Sequence, residues 1–159
     1  MEAQTPLVLE SCYKHSDCTI RIHFHNACEL LFVRRGSISI RIDDCVYSAG
    51  PGSLLVIGRF EEHSLEVRTE EYERNYVILD PTRLERLIGD RRLLFPLRNR
   101  PKGFSHLFDL SARFDRACMV FDALCEENAS PGAYSEQLNL SLITEPVSYT
   151  HLRAHETLR

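Results

Sequence analysis

Two histidines and a glutamate near residue 25 form a pattern that could bind a metal ion or a polar ligand. One residue separates His23 from His25, and Glu29 follows after three more. On an extended segment, residues at positions i and i+2 point to the same face. The two imidazoles should therefore converge, and we expect Glu29 to reach them from the next strand.

His63 supplies a third imidazole from a later part of the chain. It begins a segment that alternates through Arg68, with Leu65 and Val67 on its own side, so we expect it to point inward. Three imidazole nitrogens and one carboxylate oxygen suit Zn, Fe, Ni, Mn or Cu. The same four side chains could instead form a hydrogen-bonded cluster that holds a ligand's hydroxyl groups. A metal would indicate an enzyme, and a polar ligand would indicate a sensor.

Two arginines are weaker candidates. Arg21 and Arg41 fall on the polar faces of alternating segments and could pair with an anionic ligand. A solvated strand face is the commoner reason for an exposed arginine. The candidate ligand-binding set is therefore His23, His25, Glu29, Arg41 and His63.

The first half of the chain predicts short antiparallel strands separated by turns. Residues 18–25 and 37–42 alternate between apolar and polar side chains, and residues 29–33 form an apolar run that suits a strand buried on both faces. Turn residues separate these segments at Gly36 and at 43–44. This spacing is typical of a sandwich or barrel. Within residues 18–25, the alternation places three apolar side chains opposite the histidines: Ile20, Ile22 and Phe24.

The second half changes to helical periodicity. Asp80 suits the N-cap of a short helix over residues 82–88, and residues 93–103 are rich in proline and arginine, which predicts a linker. From Ser105 onward, apolar residues recur with the spacing of an amphipathic helix. This stripe contains Leu107, Leu110, Phe114, Phe121 and Leu124. After a break, a second and antiparallel helix is predicted from the spacing of Tyr134, Leu138 and Leu142.

Two of these segments resemble the motifs of a known family. His23, His25, Glu29 and Gly36 have the spacing of the first cupin motif, and residues 50–57 leading to His63 are similar to the second. The Pro-x-Gly turn that usually precedes the final histidine of that motif is replaced by residues 58–62. The stretch from Ile22 to Val67 resembles the N-terminal, effector-binding cupin domain of AraC-type transcriptional regulators.

The resemblance implies both a fold and a function. The fold is an all-β core, a cupin-like double-stranded β-helix (jelly-roll barrel), followed by the two helices. The function is that of a sensor rather than an enzyme, with a small polar effector such as a sugar in the barrel and a homodimer formed through the five-residue stripe. DNA would be bound only by a C-terminal helix-turn-helix domain, which these 159 residues lack. A sensor needs no cofactor, although the four cupin positions could hold a divalent metal.

An alternative interpretation uses the same four residues. His23, His25, Glu29 and His63 would be the ligands of a metal-dependent cupin enzyme, such as a dioxygenase or an isomerase. An enzyme should be complete within this length, whereas the gene of a regulator should continue into a helix-turn-helix domain.

Four segments are expected along the chain. An effector-binding domain over residues 1–80 would be followed by a short helix and linker over 81–103 and a helical dimerisation region over 104–145. Residues 146–159 resemble a translated sequencing-adapter fragment. We therefore expect that the natural protein continued past residue 145 with a different sequence.

Composition limits the remaining possibilities. The chain is 43% hydrophobic and 26% charged, which is an ordinary globular balance, and its net charge of −4 comes without a sustained Lys/Arg stripe. Nucleic-acid binding by these residues is therefore not expected. No apolar run reaches membrane-spanning length and the N-terminus does not resemble a signal peptide, so we expect a cytoplasmic protein without membrane contact. The six cysteines contain no CxxC pair, which favours reduced thiols.

Overall fold

The computed structural model describes residues 5–15, 19–98, 100 and 103–157. Its strands are β1 (Val8–His15), β2 (Ile20–His23), β3 (Cys28–Arg35), β4 (Ile38–Ile42), β5 (Cys45–Ala49), β6 (Ser53–Ile57), β7 (His63–Val67), β8 (Glu73–Leu79) and β9 (Leu107–Asp109). Its helices are α1 (Pro81–Leu87), α2 (Phe95–Arg98), α3 (Phe114–Ala129) and α4 (Ser135–Thr157), with 3-10 turns at Arg91–Leu94 and Ser111–Arg113.

The strands form two antiparallel sheets that pack face to face. One sheet has the order β1-β8-β3-β6-β9, and the other has the order β2-β7-β4-β5. Helices cover the outer face of the five-stranded sheet, where α3 packs against β1 and β8. The predicted all-β core with C-terminal helices is confirmed.

Strand β3 is buried on both of its faces, as its apolar run predicted. Leu30 and Phe32 belong to the core between the five-stranded sheet and the helices, whereas Leu31 and Val33 belong to the core between the two sheets. The predicted turn after β3 is also confirmed. Gly36 has a φ of 75°, and a Cβ built there would lie 2.0 Å from the carbonyl oxygen of Glu71, so only glycine fits.

A bulge interrupts the predicted alternation of β2. Ile20 pairs with Leu65 and His23 pairs with His63, so three residues of β2 span only two positions of β7. Such a bulge reverses the side on which the following residues point. Ile22 is consequently 57% exposed, and the expectation that it shares an apolar face with Ile20 is wrong. The predicted start of this strand at Cys18 lies outside the described residues.

The predicted helix from Ser105 is wrong at its beginning. Residues 107–109 form β9, which pairs with β6 and completes the five-stranded sheet. The backbone N–H of Val56 donates to the carbonyl of His106 at 2.9 Å, and the N–H of Leu110 donates to Gly52 at 2.7 Å. Helical spacing of leucines was misleading here because β6 offers unpaired backbone groups that a short strand satisfies.

The stripe proposed for dimerisation lies inside the monomer. Leu110, Phe121 and Leu124 are buried in the core under the helices, and Phe114 and Leu107 are half-buried. Phe121 stacks on Phe32 with ring centroids 5.2 Å apart. Burial of one such side chain stabilises a fold by about 1.5–3 kcal/mol. These five residues hold α3 and β9 on the sheet and do not form an exposed surface.

Helix α4 uses a different face from the predicted one. Tyr134 and Leu138 are 74% and 51% exposed, whereas Ile143 and Val147 are buried against the sheet and helices. The helix continues through Pro146, and both Val147 and Thr150 are fully buried. The first residues after 145 therefore pack into the same core as the rest of the helix.

The predicted start of α1 is confirmed, since the carboxylate of Asp80 accepts a hydrogen bond from the N–H of Arg83 at 2.6 Å. The predicted linker contains the end of the first 3-10 turn and α2, with Leu94 and Leu97 buried.

All five cysteines among the described residues are free thiols. No helix in the described part of the chain is both long and apolar enough to span a membrane.

Candidate functional site

Three histidine rings meet between the two sheets. His23 ends β2 and pairs directly with His63 at the start of β7, which brings their ring centroids within 4.2 Å. His25 lies in the turn between β2 and β3, with its ring centroid 5.1 Å from that of His63. His63 is buried, His25 is half-buried and His23 is exposed. The cluster therefore connects the interior with solvent.

Each of the three rings is oriented by a main-chain carbonyl. The Nδ1 atoms of His23, His25 and His63 lie 2.9, 3.2 and 2.9 Å from the carbonyl oxygens of residues 21, 27 and 61. A carbonyl only accepts hydrogen bonds, so Nδ1 carries the proton in every case. The neutral tautomer then has its lone pair on Nε2. This is the arrangement that fixes metal-binding histidines in proteins.

Glu29 faces the rings from β3. Its Oε2 lies 3.1 Å from Nε2 of His25 and 3.5 Å from Nε2 of His63, and its side chain is almost fully buried. Burial by itself would raise the pKa of the carboxyl group, but attraction to the two imidazoles outweighs burial and lowers the pKa to about 2. A carboxylate that stays ionised at this position favours a positive charge in the cluster, either a proton or a metal ion.

The donor set fits a divalent metal. One ring nitrogen from each of His23, His25 and His63 lies within 4.8 Å of the other two. The Nε2 of His63 is buried and has no hydrogen-bond partner among the described residues, since the Glu29 oxygen 3.5 Å away makes only an ion-pair contact. A buried polar atom without a partner is costly, and a metal ion at the centre of the cluster would satisfy it. Together with the Glu29 carboxylate, the residues offer three nitrogens and one oxygen.

The cluster lines one end of a cavity of about 540 Å³ between the sheets. Leu31, Ile40, Leu65 and Ile78 form apolar parts of its wall, and all four predicted cupin positions contribute to its lining. Mostly apolar walls with a few converging polar groups are typical of small-molecule sites, and the volume is within their usual range. The structure thus brings His23, His25, Glu29 and His63 into one pocket.

Comparison with known families agrees with this geometry. The family model described as "AraC-like ligand binding domain" matches residues 7–136, which is more than half of the chain. The chain belongs to the AraC-like ligand-binding domain family. A search of curated proteins gave no significant match.

Solved structures overlap parts of this AraC-like domain at low identity. A conserved protein of unknown function from Streptococcus pyogenes is 19% identical, with 49% of this chain and 68% of that chain covered and a TM-score of 0.43. A cupin superfamily protein from Desulfitobacterium hafniense is 15% identical, with 48% and 71% covered and a TM-score of 0.44. A mutant of oxalate decarboxylase from Bacillus subtilis is 18% identical, with 64% and 24% covered and a TM-score of 0.42.

Arg41 does not share the cavity with the histidines, contrary to its assignment to the ligand-binding set. Ile40 and Ile42 occupy the inward positions of β4 and are buried, so the alternation of the strand directs Arg41 outward. Arg41 is exposed and lines a separate surface pocket together with Arg21.

Sequence reasoning missed a polar network behind His63. The Glu61 carboxylate forms an ion pair with Arg100, accepts from the N–H of Gly58 at 2.5 Å, and lies 3.1 Å from Nε2 of His106. Burial raises the pKa of Glu61, but the His106 and Arg100 contacts outweigh burial and lower the pKa to about 2. The carbonyl of Glu61 is the one that orients His63. No local pattern predicted this network, because Arg100 and His106 come from the predicted linker and helix.

Two further lining residues of the AraC-like domain were also missed. Arg74 and Tyr76 face the cavity from β8, and the Tyr76 hydroxyl donates a hydrogen bond to the carboxylate of Glu10 on β1. Arg74, Tyr76 and Ile78 occupy alternate positions of β8 and therefore share the face that lines the cavity. Only the tertiary arrangement shows that this interior is the histidine cavity.

The metal-binding capacity of the cluster is testable with Zn²⁺. We expect His63→Ala to reduce Zn²⁺ affinity by more than about 100-fold in isothermal titration, since losing even an outer hydrogen-bond partner costs about 10–100-fold. His15→Ala is the matched control, because His15 is exposed at the end of β1. Equal Zn²⁺ affinity of the two variants would contradict a site at the cluster.

Zn²⁺ affinity should also depend on pH. Burial lowers the pKa of His63, but the Glu29 carboxylate and the Glu61 carbonyl outweigh burial and raise the pKa above the ordinary 6.5. Protons should therefore compete with the metal up to a pH above 6.5, and affinity should fall as the pH is lowered through this range. Glu29→Gln removes the charge that raises the His63 pKa, so the midpoint of this fall should move to lower pH. An unchanged midpoint would show that Glu29 does not control the cluster.

Proposed function

We propose that this chain is the ligand-sensing part of a cytoplasmic AraC-type transcriptional regulator. The observation that carries the proposal is the cavity of about 540 Å³ with a polar cluster at one end, in a chain that belongs to the AraC-like ligand-binding family. A small polar effector, such as a sugar or a sugar derivative, would bury its carbon skeleton against the apolar wall. Its oxygen atoms would meet the histidines and Glu29.

The ligand signal would leave the cavity through the polar network behind His63. Glu61 contacts His63 with its carbonyl, and its carboxylate contacts Arg100 and His106. His106 directly precedes β9, which leads through a 3-10 turn into α3. An effector that contacts His63 would therefore bias the position of β9 and the helices by its differential affinity for two arrangements. DNA would be reached through a helix-turn-helix domain C-terminal to α4.

A metal-dependent cupin enzyme, such as a dioxygenase or an isomerase, is the second candidate function. The observation that favours it is the shared arrangement of the three histidines, each with Nδ1 on a carbonyl, so that the lone pair of the neutral ring lies on Nε2. His23, His25, His63 and Glu29 would hold the metal. A divalent ion there would act as a Lewis acid toward a ligand oxygen. In a sensor, the same residues would only orient the ligand.

We further propose that the sensor is a homodimer, formed by the outer surface of the α3–α4 hairpin. Met119 on α3, Tyr134 just before α4 and Leu138 on α4 are large apolar side chains with 61%, 74% and 51% exposure. These residues replace the buried stripe as candidates for the interface. Aromatic residues and methionine are enriched in protein interfaces, which supports this choice.

Retention of a bound small molecule by the purified protein tests the sensor function. The protein is incubated with a metabolite extract, re-isolated and examined by mass spectrometry for retained compounds. We expect an unchanged small molecule to be retained by the wild type and lost with Ile40→Phe, which fills the cavity. Ile22→Phe is the control, because Ile22 is exposed on the outer face. Conversion of a compound to a product would support the enzyme instead, and equal retention by both variants would contradict the site.

The dimer is tested by sedimentation of charge variants. We expect Met119→Glu combined with Leu138→Glu to shift the protein from dimer to monomer without lowering the thermal midpoint, because both side chains are exposed. Val46→Glu introduces a similar charge at a 60% exposed position on β5 and should leave the dimer intact. A wild-type protein that sediments as a monomer would contradict the proposed interface.

A further inference from the structure

Arg74 is a buried cation at the opposite end of the cavity from the histidines. It lies on β8, is only 5% exposed and lines the cavity. Ile78, four residues along the same strand, pairs with Glu29. Strand geometry therefore separates Arg74 from the Glu29 position by roughly 13 Å. A ligand that fills the cavity would contact both ends.

The charge of Arg74 has no protein counter-ion in the described part of the chain. Its Nε and Nη1 atoms are buried without a hydrogen-bond partner, and no ion pair of the described residues includes it. Burial raises the pKa of the neighbouring Tyr72 to about 12, and the nearby Arg74 guanidinium opposes that rise. Arginine does not lose its proton in proteins, so the positive charge persists. Buried charges are normally paired, which makes this guanidinium exceptional.

Neighbouring groups compensate this charge only in part. The Arg74 guanidinium lies 5.4 Å from the ring centroid of Tyr72 and 5.8 Å from that of Tyr76. Cation–π attraction of this kind is weaker than the cost of removing a guanidinium from water. The nearby carboxylate of Glu10 accepts a hydrogen bond from the Tyr76 hydroxyl. The Lys14 ammonium adds a second positive charge, 5.3 Å from the centroid of the Tyr76 ring. This end of the cavity therefore favours an anion.

We infer that Arg74 is the anion-recognition residue of the cavity and that the effector is a small organic acid, which binds Arg74 through its carboxylate. The inference rests on the proposed ligand-binding function and narrows it to one class of ligand. A guanidinium matches the two oxygens of a carboxylate in geometry and charge. The effector would then be a sugar acid or another organic acid rather than a neutral sugar. Arg74 would select the acid, while the histidine end would select its polar substituents.

Matched pairs of an acid and a neutral analogue test this inference. Thermal midpoints are measured with acetate against acetamide, benzoate against benzamide, and glucuronate against glucose, at equal ionic strength and concentrations on the order of 100 mM. The shift caused by glucose 6-phosphate, compared with that caused by glucuronate, shows whether the site prefers a phosphate or a carboxylate. We expect the acids to stabilise the wild type more than their neutral partners do. For the acid with the largest shift, Arg74→Gln should weaken the affinity at least about 30-fold, and Arg74→Lys should restore part of it.

Thermal midpoints of the variants without ligand provide an independent test of the inference. Removal of an unpaired buried charge should raise the thermal midpoint of Arg74→Gln above that of the wild type. Arg35→Gln is the control, because Arg35 is exposed and pairs with Glu71 outside the cavity. A lower midpoint or failure to fold of Arg74→Gln would show that Arg74 is structurally compensated and would overturn the inference. Equal stabilisation by neutral and acidic probes would also overturn it, while the proposed sensor function would stand. The sensor function itself fails separately, if the cavity-filling variant Ile40→Phe retains the same metabolites as the wild type.

Discussion

Burial of β3 on both faces is the constraint on which the rest of the structure depends. One face carries Leu30 and Phe32 into the helix-covered core, and the other carries Glu29 and Leu31 into the cavity between the sheets. A strand with apolar side chains on both faces requires another layer of the protein on each side to shield it from water. The four-stranded sheet covers one side, and α3 and α4 cover the other. The cavity and the helices therefore lie on the two sides of a single strand, which would give the proposed effector a short mechanical route to the helices.

The second constraint is electrostatic. The cavity holds an ionised Glu29 among three imidazoles at one end, and at the other end it holds Arg74, which no described residue pairs with. The buried Nε2 of His63 and the Arg74 guanidinium, both without a hydrogen-bond partner among the described residues, reduce stability unless something fills the cavity, since buried charges and orphaned polar atoms are costly. Functional sites are the places where proteins tolerate such costs. A metal or a proton at the histidine end and an anion at the arginine end would restore charge balance without any change in the fold.

Local sequence patterns predicted the parts of the structure that depend on strand parity. The apolar run before Gly36 indicated a doubly buried strand, and the spacing of His23, His25 and Glu29 predicted their convergence. Arg41 was misplaced although its strand was predicted correctly, because the pattern does not say which face of a strand is inward. The stripe from Leu107 was misread for a different reason. Its first residues meet an unpaired strand edge, which is a property of the folded sheet.

The remaining site residues could not have been found from local patterns at all. Arg74 lies about 50 residues after His23, and Arg100 and His106 come from segments whose sequence indicated only a linker and a helix. Their roles depend on sheet order, which places β8 beside β3 and β9 beside β6. Sheet order is set by packing over long sequence separations, which short-range periodicity does not report.

A crystal structure of the purified protein at neutral pH tests the central claim most directly, because it shows what lies between Arg74 and the Nε2 atoms of the histidines. We predict non-protein density in the cavity, with an anionic group at Arg74 and a metal ion or ligand oxygen at His63. A cavity filled by the protein's own side chains, with a protein carboxylate paired to Arg74, would contradict the claim that this space is a ligand site.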